Sequence, residues 1–339
     1  MKKVFLSLIG LISFHFCFAQ LDIHFSQFFN SSVSLNPAEA GMDNSDIRVL
    51  ANYRTQWSSI NSPFKTKAFS IDAGLMEQKL KTEYLGLGLD IFQDQSDETH
   101  LKNFGVSTSF SYVTLLDRHS KLSFGLKLGF LQRSIDYSGL IWANQFDGQA
   151  FDLLIPPKIT YGSDRVSVAD IGAGIYYQVN PMKGKAFYAG LAADHLNAPN
   201  LAFFGEDDKY LRKYTMKIGA NLRKRNTNVS FNPSVITMFQ GKNRYAIFGS
   251  DIKYIISSGS RSTGINKVVT FTAGGFYRLS DAFFAHFGFS FGDYGISASY
   301  DLTLSELTLA AGPTGSLEIM FIYTPAITAF VKKKRTYSR

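Results

Sequence analysis

The residues equipped for chemistry are few, and their spacing is poor for it. The histidines beyond the first twenty residues are His24, His100, His119, His195 and His286. None stands three or four positions from another, so no helix can present two of them to one metal ion. Asp170, the pair Asp194-His195 and the serine-rich segments are materials for a hydrolase-type site, yet a chain of 339 residues offers such coincidences freely. Asp147 and Asp152 are acidic enough to contribute to a calcium site but lack regular ligand spacing, and solvated loop charge is the expectation. Gly86-Leu87-Gly88 and Gly172-Ala173-Gly174 lie in alternating segments with no helix after them, so they read as strand glycines and not as phosphate loops. Cys17 is the only cysteine. These residues point to no enzyme, cofactor or metal.

The first residues read as an export signal. Lys2 and Lys3 precede the apolar run Val4 to Phe14, and Cys17-Phe18-Ala19 places small residues at both cleavage-relevant positions. Cleavage is expected after Ala19. The run is shorter than the roughly 20 residues a spanning helix needs. Phe16 before Cys17 argues against lipidation, which needs a small residue there. Cleavage would leave no thiol and no disulfide. It also lowers the formal charge from +8 to +6, a modest excess spread along the chain, so nucleic acid is not an expected partner. The exception is the tail, where Lys332, Lys333, Lys334 and Arg335 could meet anionic lipid or an acidic partner.

What would position these residues is a series of strands. Phe (31), Tyr (17) and Gly (28) are abundant, and charged residues make up only 18%. A mean hydropathy of -0.03 excludes a bundle of membrane helices but suits strands with one face to lipid and one to a polar lumen. In 121–130, Leu122, Phe124, Leu126, Leu128 and Phe130 share one face, while Lys121, Ser123, Gly125, Lys127 and Gly129 share the other. The segments run about nine to twelve residues, the length of a tilted spanning strand and longer than is usual in a sandwich. Fourteen are expected: 47–54, 66–75, 84–92, 104–115, 121–131, 168–179, 186–194, 213–223, 228–239, 244–256, 267–278, 283–291, 294–302 and 315–323. An even count returns both ends of an antiparallel barrel to the periplasm, and most long connections then fall on the extracellular side. Two depart from that parity: 240–243 is short for an outer loop, and 257–266 is long for an inner turn.

The opening of the exported chain carries a likeness to a known family. It reads Asp22-Ile23-His24-Phe25-Ser26-Gln27-Phe28-Phe29, then Leu35-Asn36-Pro37-Ala38-Glu39-Ala40-Gly41, then Tyr53-Arg54-Thr55-Gln56-Trp57. This order resembles the PorP/SprF family of the type IX secretion system. The likeness continues through 66–72, the strands at 85–89 and 121–127, Tyr188 to Leu191, His195-Leu196 and Ser299-Tyr300-Asp301. Ser31-Ser32 stands where a further Asn-Pro pair is expected, and the chain runs on past its last aromatic strand into 324–339. The resemblance implies an outer-membrane barrel that supports export or cell-surface attachment of large secreted proteins such as adhesins, in some members linked to gliding. It brings no catalytic residues.

The expected organisation is a signal peptide at 1–19, an N-terminal periplasmic segment at 20–46, a transmembrane barrel at 47–323 and a basic tail at 324–339. The expected partners are outer-membrane lipid, type IX secretion components on the periplasmic side, and a secreted cargo protein or its C-terminal domain outside. Candidate contact residues are Asn36, Pro37, Arg54, Gln56, Trp57, Lys332, Lys333, Lys334 and Arg335. Asn36-Pro37 suits a turn that seats the N-terminal segment. Arg54 and Trp57 fall where the first strand leaves the membrane, and Trp57 suits either an interfacial anchor or a partner contact. The rival expectation is a passive or substrate-specific transport channel: inward glycine, serine and lysine would suit an open pore, whereas loop 132–167 folding in as a plug would suit the closed anchor.

Overall fold

The computed structural model describes residues 22–325 apart from 44–45, 57–62, 76–81, 97–100, 138–139, 153, 157–162, 204–206, 225, 258–266 and 305–313. Fourteen strands follow in order: β1 (Ile47–Gln56), β2 (Phe64–Leu75), β3 (Glu83–Ser96), β4 (Lys102–Leu115), β5 (Ser120–Ser134), β6 (Arg165–Met182), β7 (Lys185–Asp194), β8 (Lys213–Arg223), β9 (Val229–Gln240), β10 (Asn243–Ser257), β11 (Val269–Arg278), β12 (Ala282–Phe291), β13 (Tyr294–Thr303) and β14 (Thr314–Tyr323). Each pairs antiparallel with its neighbours, and β1 pairs with β14, so the sheet closes into a barrel without an edge. The strands are longer at most ends than the alternation alone marks out. Both connections that broke the parity belong to the closed barrel. Gln240 pairs with Asn243 across a two-residue hairpin, and 258–268 joins β10 to β11.

Alternation sets the register. In β5 Leu126 is 61% exposed and Lys127 only 7%, so the leucine faces lipid and the lysine the lumen, as its pattern dictates. Phe110, Phe124, Leu128, Ile252, Phe287 and Ile296 continue the outward apolar surface. The two barrel ends, 47 and 323, lie together at the end bearing the short turns, which is the periplasmic end of single-chain bacterial barrels. The longest connections, 135–164 and 195–212, lie at the other end.

Two expectations change inside the barrel. The lumen is not uniformly polar: Ile236, Met238, Tyr245, Ile247, Phe276 and Phe284 on β9–β12 point inward and form a buried cluster with Phe28 and Leu35. The partner that dries this wall is the N-terminal segment. Expected on the periplasmic side, its residues 22–43 instead occupy the lumen, where Phe28, Val33, Ala38 and Ala40 are almost fully buried. The cause is in its composition, since Phe25, Phe28, Val33, Leu35 and Met42 are more apolar surface than a hydrated tail keeps exposed.

Candidate functional site: a plugged lumen above an inward-facing cup

The segment 22–43 runs the length of the barrel against the direction of β1. Asp22 sits at the extracellular end, where its backbone N–H donates to Gln240 Oε1 at 2.9 Å. A helical turn at Ser32–Leu35 and a 3₁₀ turn at Pro37–Glu39 fill the middle. Gly41 reaches the periplasmic end, its N–H donating to Asp72 Oδ2 at 2.9 Å. The chain then turns into β1.

At the extracellular end a charged latch holds Asp22. Lys213 Nζ lies 2.6 Å from Asp22 Oδ2, the Tyr210 hydroxyl donates to Oδ1 at 2.6 Å, and His195 Nε2 is 3.2 Å from Oδ2. His195 Nδ1 meets Asp170 at 2.8 Å, while Asp194 is ion-paired with both Lys127 and Lys213. Burial pushes the Asp22 carboxyl up, but Lys213 and His195 outweigh it and hold the group well below the usual carboxylate range. Burial lowers His195, yet its bonds to Asp170 and Asp22 win and raise it. Protonated His195 also balances the charge, with Lys127, Lys213 and His195 against Asp22, Asp170 and Asp194. Asp170 and Asp194-His195 do come together, as a hydrolase site would require. However, both imidazole nitrogens face carboxylates, so the ring holds Asp22 in place and is not set to take a proton from a hydroxyl.

Deeper, Arg54 projects inward from β1 and is 1% exposed. Its Nη1 donates to the His24 carbonyl at 2.5 Å, and its guanidinium lies 3.5 Å from Asp301 and 3.9 Å from Glu318. Glu318 accepts the backbone N–H groups of Ser26 (2.7 Å) and Gln27 (3.2 Å). Arg278 Nη2 donates to Asp301 at 2.8 Å and to Ser26 Oγ at 2.9 Å. Two arginines and two carboxylates thus neutralise one another and bond the irregular backbone of the plug, which could not stay unpaired in a dry interior. Asn36 acts similarly at the turn. Its Oδ1 accepts from Ala38 N at 3.0 Å, and its Nδ2 donates to the Ile175 carbonyl of β6 at 3.1 Å. Pro37 takes the first position of the 3₁₀ turn. Here the strand glycines find their purpose. A Cβ on Gly125 would meet Ala38 N at 2.2 Å, and one on Gly86 would meet the Ala40 carbonyl oxygen at 2.0 Å. Only glycine lets the plug backbone lie directly on β3 and β5.

Beneath the plug, toward the periplasmic end, the β6–β13 side of the lumen stays open as a cup of about 1490 Å³. Glu39 and Phe29 reach its inner part. Its mouth is at the turns Lys183-Gly184 and Gly292-Asp293, with Arg223 and Lys253 on the adjoining strand ends.

Of the residues singled out by sequence, Asn36, Pro37 and Arg54 converge on the plug, with Arg54 in the lumen and not at the membrane interface. Gln56 ends β1 half-buried at the extracellular rim. Trp57 and Lys332, Lys333, Lys334 and Arg335 lie outside the described residues. Asp147 and Asp152 accept hydrogen bonds from their own loop, at Gln149, Ala150 and Leu154, and among the described residues no cluster of metal-ligating side chains occurs. Sequence reasoning missed Asp22, Ser26, Gln27, Lys213, Arg278 and Glu318 as parts of the site. The available signal was the charge of the inward positions: lysine, arginine and carboxylate on membrane strands need partners.

Comparison with known structures agrees with this architecture. The toluene transporter TbuX of Ralstonia pickettii superposes with a TM-score of 0.53 at 9% identity, covering 87% of this chain and 92% of that one. The toluene transporter TodX of Pseudomonas putida gives 0.49 at 8% identity over 89% and 93%, and a FadL homologue of Pseudomonas aeruginosa gives 0.46 at 12% over 85% and 92%. At 9% identity the likeness to TbuX concerns the fold alone, that of a closed membrane β-barrel. No curated protein matches the chain. The sequence profile of the type IX secretion system membrane protein PorP/SprF matches residues 17–323, which takes in the plug, its Asn36-Pro37 turn, Arg54 and all fourteen strands, and the chain therefore belongs to the PorP/SprF family of outer-membrane barrels.

Proposed function

We propose that this barrel is an anchoring component of type IX secretion and not a conduit. Exported by a signal peptide cleaved after Ala19, it supports the export or cell-surface attachment of a large adhesin-like protein, in a gliding-linked setting where the cell has one. Cargo, or its C-terminal domain, meets the extracellular loops and rim at Gln56 and Trp57. Secretion components meet the periplasmic end and the basic tail Lys332 to Arg335. Asn36, Pro37 and Arg54 contribute indirectly, by fixing the plug that shapes both surfaces.

The observation that carries this reading is the filled lumen. A chain that commits residues 22–43 and at least four buried ionic side chains to closing its own passage presents surfaces instead of a path. The rival reading, a transport channel, would need the plug to leave. Disrupting the gene and comparing secreted and surface proteomes tests the proposal: loss of one large adhesin-like protein from the surface is expected, and unchanged proteomes would overturn it.

A further inference from the structure

The cup is a built cavity whose purpose is unassigned. At about 1490 Å³ it exceeds the roughly 300–1,000 Å³ that holds a small ligand, and it is closed above by the plug and open below. The acids that line it are already engaged, Glu39 with Lys217 at 2.5 Å, Asp43 with Arg48 at 3.6 Å and Asp251 with His286 at 2.8 Å, and Asp293 in the turn at the mouth is outnumbered by the cations there. Lys183, Lys185, Arg223 and Lys253 at the mouth are exposed and, among the described residues, meet no carboxylate within ion-pair distance. Apolar surface lies beside them, with Tyr176 and Tyr188 stacked at 6.1 Å on one wall. The chain's own C-terminal tail leaves from the same end, but Lys332, Lys333, Lys334, Arg335 and Arg339 give it the wrong charge to fill a basic mouth.

We infer that the cup is a docking socket for an acidic polypeptide segment of a periplasmic partner. The inference rests on the anchoring reading for its orientation. Carboxylates of the segment would meet the mouth cations, which steer and orient it, and its apolar side chains would cover the tyrosine wall.

The test uses the full exported chain in nanodiscs of zwitterionic lipid. The probe is a short fluorescein-labelled peptide of alternating glutamate and alanine, read by anisotropy, with the glutamine version as control. The glutamate peptide should bind, weaken as salt rises, and lose about tenfold or more in affinity to the combined variant Lys183→Glu, Arg223→Glu, Lys253→Glu. The glutamine peptide should not bind. Because these side chains are exposed, the variant should keep its heat-dependent gel shift; if it does not, Lys183→Ala with Lys253→Ala takes its place, with a smaller loss expected. Equal binding by wild type and variant, equal binding of the glutamine peptide, or indifference to salt would each overturn the socket. So would displacement of the peptide by short-chain phosphatidylglycerol at equal concentration, which would assign the mouth to lipid phosphate. Orientation is read separately, since the exported chain lacks cysteine. Lys253→Cys should react with an impermeant maleimide only after the outer membrane is permeabilised. Labelling in intact cells would defeat the anchoring reading while leaving peptide binding to stand or fall by itself.

Discussion

At the scale of single residues, the plug depends on buried charges that have no value except as a set. Removing one member of a buried ionic group leaves its partners uncompensated, at about 3 to 5 kcal/mol, whereas the intact group is close to neutral against apolar packing. Arg54→Met should therefore lower the temperature at which the folded band is lost on gels, since Asp301 loses one of its two arginines and Glu318 loses the arginine it pairs with. Glu318→Gln should do less harm, because it removes the charge but keeps one acceptor oxygen, so that only one of the Ser26 and Gln27 N–H groups, which donate to different carboxylate oxygens, loses its partner. Equal effects of the two changes would count against the clamp. The latch adds a pH dependence. Asp22, held below its ordinary range, contributes above that range and loses its contribution as pH falls through the lowered value. His195, raised above 6.5, contributes in full below 6.5 and loses its contribution as pH rises through the raised value. The segment 22–28 should thus be best protected from hydrogen exchange between these limits and open on the alkaline side. His195→Gln should abolish that alkaline opening. Persistence of the same pH profile in the variant would exclude His195 as the latch. Arg54 shows what sequence could and could not supply: its place in the motif marked it out, but only the pairing of β1 with β14 brings it to Glu318.

At the scale of elements, the alternation of β5 carried both its register and a trap. Leu126→Arg should impair assembly, because a charge facing lipid near the midplane costs about 2 to 4 kcal/mol. From its pattern, Lys127 is merely a lumen position at which serine would be harmless. The structure pairs it with Asp194, so Lys127→Ser should also destabilise the latch, measurably in exchange at 22–28 though not in membrane insertion. Strand existence and order were legible because each lipid-facing strand must alternate over about ten residues. The inward apolar wall of β9–β12 was not, because nothing local says which lumen positions meet water and which meet Phe28. The glycines of β3 and β5 could be identified as strand glycines, but what approaches them is far away in sequence. Gly125→Val should leave the outward face intact, and with it barrel insertion, yet expel Ala38 from its seat. Faster proteolysis within 22–43 of an otherwise folded barrel would report that release, and unchanged protection would show that the wall yields instead.

At the scale of the whole molecule, the N-terminal segment decides what kind of barrel this is. Sequence placed it on the periplasmic side and offered an extracellular loop as one way to plug the lumen; the structure gives the lumen to 22–43 and leaves the cup beneath. The decisive property is therefore whether ions pass. Single-channel recording in planar bilayers, comparing the exported chain with a version lacking 22–41, measures it directly. A silent full-length barrel and a stable conductance in the deletion are predicted, with folding of both checked by heat-dependent gel migration. A steady open conductance from the full-length protein would contradict the plugged anchor and restore the transport channel.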